Sequence, residues 1–136
     1  MEILTADELQ RLMESDFPDE TVPIVELVTD EGVVVRQAID ERHCRRGGTV
    51  SGPTMMTFAD IVAGMALISR TGHVDMATTS LHIDFLRKPA FADLLAEASI
   101  LKLGRRLGVV AVALRSEGSP AIVAEAQVTY SITPVA

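Results

Sequence analysis

Between Pro53 and Arg70 the sequence PTMMTFADIVAGMALISR has the length and the Ala, Met and Leu content of a helix, yet apolar residues almost surround it. Met55, Met56, Phe58, Ile61, Val62, Met65, Ala66, Leu67 and Ile68 leave no broad polar face. Such a helix is stable in water only when the rest of the chain wraps it, so the chain must supply a cover. Ser51 or Gly52 caps the helix, and Pro53 suits its first turn, where a missing N–H costs nothing.

The flanking segments supply that cover. Thr5-Ala-Asp-Glu8 reads as a capping box, and Leu9, Leu12, Met13 and Phe17 follow at helical spacing up to Pro18, which predicts a short amphipathic helix. Val22 to Thr29 and Val33 to Ala38 are β-rich, and Asp30-Glu31-Gly32 between them suits a tight turn, so they read as a hairpin. After Thr71-Gly72, four segments alternate with period two: 76 to 87, 92 to 103, 107 to 116 and 121 to 133. Lys88-Pro89, Gly104-Arg105-Arg106 and Glu117-Gly118-Ser119-Pro120 divide them. In the last segment Ile122, Ala124, Ala126, Val128, Tyr130 and Ile132 share one face, and Glu125, Gln127, Thr129 and Ser131 the other. That pattern needs one covered side.

The expected architecture is therefore α+β: an antiparallel sheet of about six strands curled around a long central helix. At 136 residues, 1–136 form a single domain.

Asp60 is the unexpected residue of the central helix, because a carboxylate among core residues is costly unless it is paired, hydrogen-bonded or functional. Thr57, Asp60 and Gly64 share one helical face, a narrow polar strip suited to a cleft or an interface. A structural role, with the carboxylate satisfied by an amide or hydroxyl, remains open beside a chemical one. The loop Gly47-Gly48-Thr49-Val50-Ser51-Gly52 leads into the helix, and its last amides meet the positive end of the helix dipole, where an oxyanion binds well. Asp60 lies two turns beyond Gly52, on a similar side.

Other chemistries fit less well. His43, His73 and His82 lack metal-ligand spacing and Cys44 is the one cysteine, so neither a metal nor a cofactor is expected. GTVSGP is not a nucleophile elbow, which makes Ser51 a plain N-cap by motif, and Gly104-Arg-Arg-Leu-Gly108 lacks the ending of a phosphate-binding Walker loop. A net charge of -7 repels polyanions, and with one Tyr, four Phe and no Trp there is little to stack on bases, so nucleic acid is not an expected partner. The basic residues instead cluster at Arg42, Arg45 and Arg46, at Arg87 and Lys88, and at Arg105 and Arg106, as pockets for a compact anion would. One cysteine and an N-terminus without a basic or apolar leader point to the cytoplasm. The longest uncharged apolar stretch, Ile61 to Ser69, falls far short of the roughly 18 to 20 residues that span a bilayer, so no membrane is expected.

With these residues laid out, the chain resembles the hotdog-fold acyl-CoA thioesterases, in particular the phenylacetate-degradation (PaaI-type) group. GGTVSGPTMMTFADIVAG at 47 to 64, TTSLHIDFLRKP at 78 to 89, LKLGRRLGVVAVAL at 101 to 114 and the final AEAQVTYSITP carry the resemblance. It implies that the amide of Gly52 polarises a thioester carbonyl, that Asp60 acts as base or nucleophile, and that Thr78 helps to position water. It also implies substrate contacts at Ser51 and at Arg45, where the family often has Asn or Gln, and a grip on the phosphates of coenzyme A by Arg87, Lys88, Arg105 and Arg106. The familiar His-Gly-Gly before the helix stands here as Ser51-Gly52-Pro53. A homodimer or homotetramer is implied, with the acid of one subunit facing loop groups of the other, which suits a chain that is 48% hydrophobic. Hydrolysis of an acyl-CoA substrate is the leading expectation; a non-catalytic acyl-CoA-binding or regulatory module is the second. A hydratase fits less well because the central helix has no histidine.

Overall fold

A computed structural model of the chain describes residues 3–72 and 75–134. In order, the elements are α1 (Ala6–Asp16), β1 (Ile24–Val28), β2 (Gly32–Gln37), a 3₁₀ turn (Glu41–His43), α2 (Gly52–Thr71), β3 (Met76–Phe85), β4 (Leu94–Leu103), β5 (Leu107–Ser116) and β6 (Ile122–Ile132). His73, one of the three histidines weighed above as ligands, lies outside the described residues.

The capping box forms as the sequence predicts: the Glu8 N–H donates to Thr5 Oγ1 at 3.1 Å and the Thr5 N–H donates to Glu8 Oε1 at 3.0 Å. Leu9 and Met13 turn inward, and Phe17 ends the helix just before Pro18. At the other end of the molecule's hydrophobic order, α2 buries Phe58, Met65 and Leu67 completely, against Leu94, Leu114 and Val35 of the sheet. Gly72 stops α2 in the left-handed conformation, φ 72°, which only glycine adopts without strain.

All strand neighbours are antiparallel, in the order β1-β2-β4-β5-β6-β3. The β1–β2 hairpin turns where expected, but Gly32 is needed for a different reason than turn geometry. A Cβ there would sit 1.8 Å from the Ala98 carbonyl oxygen, so the close approach of β4 excludes any side chain. The turn itself is held by Thr29 Oγ1, which accepts the N–H groups of Glu31 and Gly32.

Two further expectations need correction. Counting uncharged runs understated α2, which at 20 residues is long and apolar enough to cross a membrane by length and composition; in this fold the sheet covers it instead. And β3, although it alternates, has no fully covered face: only Met76, Leu81 and Ile83 are half-buried, because the strand order puts it at the edge of the sheet.

Candidate active site

The first turn of α2 is set by a chain of hydroxyls. Ser51 Oγ accepts the Thr54 N–H at 3.2 Å and lies 2.8 Å from Thr54 Oγ1, which donates to the His43 carbonyl at 3.0 Å. Ser51 is thus engaged as the N-cap. Gly52 follows as the first helical residue, so its N–H is among the donors a helix cannot satisfy internally. Phe85, at the end of β3, lies over it: a Cβ on Gly52 would be 3.5 Å from the ring.

Preceding the cap, residues 45 to 49 form a tight turn in which the Arg45 N–H donates to the Thr49 carbonyl at 2.8 Å, with Gly47 and Gly48 at φ 102° and 80°. Arg45, Gly52, Phe85, Arg87 and Lys88 line one cleft of about 420 Å³. Arg87 donates to the Ile122 carbonyl, which ties its guanidinium to the start of β6. Arg42 is engaged elsewhere, at 2.8 Å from Asp40, and its side-chain and backbone hydrogen bonds lower the Asp40 carboxyl to about 2.

Asp60 is half-buried on the same helix, about 12 Å further along the axis. Its Oδ1 accepts two hydrogen bonds, from Thr78 Oγ1 at 2.7 Å and from the Tyr130 hydroxyl at 2.8 Å. Thr78 and Tyr130 face each other across β3 and β6, and the β3 register shifts between Thr78 and Ser80, an irregularity of the kind that re-aims a side chain. The Tyr130 hydroxyl also lies 2.6 Å from the Asp60 carbonyl oxygen, so one proton serves two acceptors of the same residue. Gly64, one turn on, leaves the room: a Cβ there would come within 3.0 Å of Tyr130 Oη. Among the described residues no donor reaches Asp60 Oδ2, which leaves that oxygen available for a water or a substrate.

Burial pushes the Tyr130 phenol above the ordinary phenol range; the hydrogen bond with Thr78 opposes this, and the negative charge of Asp60 and its hydrogen bond add to the rise. Tyr130 therefore keeps its proton and donates. Sequence reading placed it only on the covered face of the last strand. The signal was present, since a lone hydroxyl-bearing aromatic among aliphatic core positions needs a buried partner.

Arg105 and Arg106 lie elsewhere in the chain. Their turn joins β4 to β5, the Arg106 carbonyl accepts the Ile132 N–H, and neighbouring Gly108 packs on Leu67, about 22 Å along α2 from Gly52. Within one chain they do not share the cleft of Arg87 and Lys88. Among the described residues no cluster of three His, Cys, Asp or Glu side chains is placed to hold a metal ion.

Residues 47–129 match the sequence profile of the thioesterase superfamily, a span that includes Gly52, Asp60 and Thr78. The chain belongs to the thioesterase superfamily. Its six-stranded antiparallel sheet around one long helix is the hotdog fold. Among solved structures, this superfamily member is similar to one titled a "putative thioesterase" of Silicibacter sp. TM1040, with 38% identity, a TM-score of 0.88, and coverage of 98% of this chain and 96% of that one. Zebrafish thioesterase superfamily member 2 shares the fold at a TM-score of 0.82 and 22% identity, covering 96% of this chain and 99% of that one. A Pseudomonas aeruginosa protein named "Putative esterase PA0474" is 36% identical over 86 residues, 62% of this chain. The match spans 64% of that relative's length. Arg45 and Tyr130 fall outside the matched profile span, so the superfamily pattern alone does not carry them.

Proposed function

We propose that the protein hydrolyses an acyl- or aryl-CoA thioester to the free acid and coenzyme A, and that it works in the manner of the phenylacetate-degradation group. One observation carries this reading: a half-buried carboxylate, held at Oδ1 by Thr78 and Tyr130 and open at Oδ2, on the same helix whose N-terminal amide is Gly52.

In the general-base route Asp60 takes a proton from a water as its oxygen adds to the thioester carbon. The Gly52 N–H and the positive end of α2 stabilise the oxyanion that forms. The tetrahedral intermediate then expels the coenzyme A thiolate, which is protonated as the acid leaves. In the nucleophilic route Asp60 itself adds, the thiolate departs, and water hydrolyses the resulting anhydride. Both routes use the same two groups.

The active unit we propose is a dimer. In one chain the Gly52 N–H points out of the first turn of α2, away from Asp60, so a second copy is the natural source of the oxyanion donor. Two features support pairing. β3 is a ten-residue edge strand without proline or lysine, which leaves its outer edge able to pair with a further strand. Met56 and Thr57 of α2 and Phe85 of β3 are also exposed. Antiparallel pairing of two β3 edges brings the partner's β4–β5 turn to the same end of the doubled sheet as Arg87 and Lys88, which gives Arg105 and Arg106 a route to the coenzyme A phosphates.

Release of free thiol from short, long and aryl acyl-CoA esters tests the reading. The Asp60→Asn protein, folded as judged by circular dichroism, should lose at least about a hundredfold in turnover, the scale of a lost general base. Normal turnover by that variant overturns the assignment of Asp60, and tight acyl-CoA binding without turnover by the unmodified protein makes it a binding module.

A further inference from the structure

Beside the Asp60 carboxylate, α1, α2 and β3 enclose an apolar groove of about 260 Å³ that the chemistry above leaves unused. Thr78 and Tyr130, the two donors to Asp60 Oδ1, are part of its lining. Along α2 the groove is lined from Ile61 to Ile68, with Met76 of β3 on another wall and Met13 of α1 and Phe17 at its C-cap as a roof. The roof is tied down. Gln10 of α1 accepts the Val25 N–H at 2.7 Å and donates to the Pro23 carbonyl at 3.2 Å, which fixes the segment that leaves α1 against the start of β1. The polar lining residues Glu20 and Thr21 are exposed and sit at the rim.

We infer that this groove takes the acyl chain of the substrate and selects a linear, medium-length chain of about eight carbons. The inference rests on the reading of Asp60 as the thioester-cleaving group. The helix sets the length. Ile61 to Ile68 advances about 10 Å along the helix, and an extended alkyl chain with single bonds near 1.5 Å advances roughly 1.3 Å per carbon, which gives about eight carbons. A cavity of about 150 Å³ already accommodates a benzene ring, so a phenylacetyl group leaves much of this groove empty. Methionine side chains at Met13, Met65 and Met76 suit a flexible chain, because they repack around it at little cost.

The test is kcat/KM over straight-chain acyl-CoA esters from acetyl to palmitoyl, with phenylacetyl-CoA beside them, for the unmodified protein, Met76→Trp, Met76→Ala and Asp60→Asn. In the unmodified protein kcat/KM should rise by about fourfold per added methylene to a maximum near octanoyl and then level or fall. Met76→Trp should move the maximum to shorter chains and Met76→Ala to longer ones. Opposite shifts cannot come from a loss of stability. Asp60-dependent hydrolysis that is indifferent to chain length, or that prefers phenylacetyl-CoA to octanoyl-CoA, overturns the assignment of the groove and leaves Asp60 standing. Hydrolysis that survives in Asp60→Asn overturns the reading on which the groove rests.

Discussion

Replacing Tyr130 with Phe removes one oxygen and leaves the ring in place. In the structure that oxygen is 2.8 Å from Asp60 Oδ1 and 2.6 Å from the Asp60 carbonyl, while Thr78 holds the same Oδ1 at 2.7 Å. A hydrogen bond to a charged group contributes roughly 1.5 to 3 kcal/mol net. Asp60 is half-buried, so water replaces part of what is lost, and a figure near the lower end, about 1.5 kcal/mol, is expected. If the bond serves to hold the carboxylate in its reactive orientation, that energy appears in turnover as about a tenfold fall in kcat, with KM for a short acyl-CoA nearly unchanged. Thr78→Ala should give a similar loss. The double variant should lose more than the product of the two, because either donor alone can still orient the shared oxygen. Thiol-release kinetics and urea unfolding on all four proteins supply the numbers. Tyr130→Phe with lowered stability and unaltered kcat would refute the reasoning, since the phenol would then be a core residue with a satisfied hydroxyl and nothing more.

Tyr130 is the one tyrosine in the chain, so near-ultraviolet phenolate absorbance reports it alone. Its ionisation should begin well above the ordinary value of about 10, and because the unfolded chain ionises first, stability should fall as pH rises past that point; a midpoint at the ordinary value contradicts the hydrogen-bonded, buried phenol. Gly64→Ala puts a methyl 3.0 Å from Tyr130 Oη and should lower kcat several-fold by displacing the phenol. Gly108→Ala puts one 2.7 Å from both Leu67 methyls and should cost about 1 to 3 kcal/mol in stability with kcat intact; the reverse pattern in the two variants would contradict the site geometry. Asp40 should titrate at about 2 rather than 3.8, followed through the Arg42 backbone amide by NMR. The contribution of that cap is present above pH 4 and lost as pH falls through about 2.

Local chemistry explains which parts of this molecule were readable in its sequence. Thr5 and Glu8, or Ser51 and Pro53, act on neighbours a few residues away, so their motifs predict the helix starts directly. The apolar circumference of α2 predicts its own burial, and a charge in such a run makes Asp60 conspicuous. What depends on strand order was hidden. Nothing in the alternation of residues 76 to 87 says that β3 ends at an open edge, and nothing in the two basic turns says that they lie at opposite ends of α2. Tyr130 meets Asp60 across 70 residues of sequence, a contact set by the pairing of β3 with β6 and by the gap at Gly64. Gly32 looked like a turn glycine because the approach of β4 that excludes its side chain is equally non-local.

The central claim is that Asp60 of one chain works with the Gly52 amide of another. Co-expression of two tagged chains, one Asp60→Asn and one Gly52→Pro, allows the mixed dimer to be purified; proline at the first helical position removes the N–H while keeping the turn. Each variant alone should be at least about a hundredfold less active than the unmodified protein. In the mixed dimer one site carries both substitutions and the other carries neither, so about half of the unmodified activity should return. A folded mixed dimer as inactive as its parents would contradict the account.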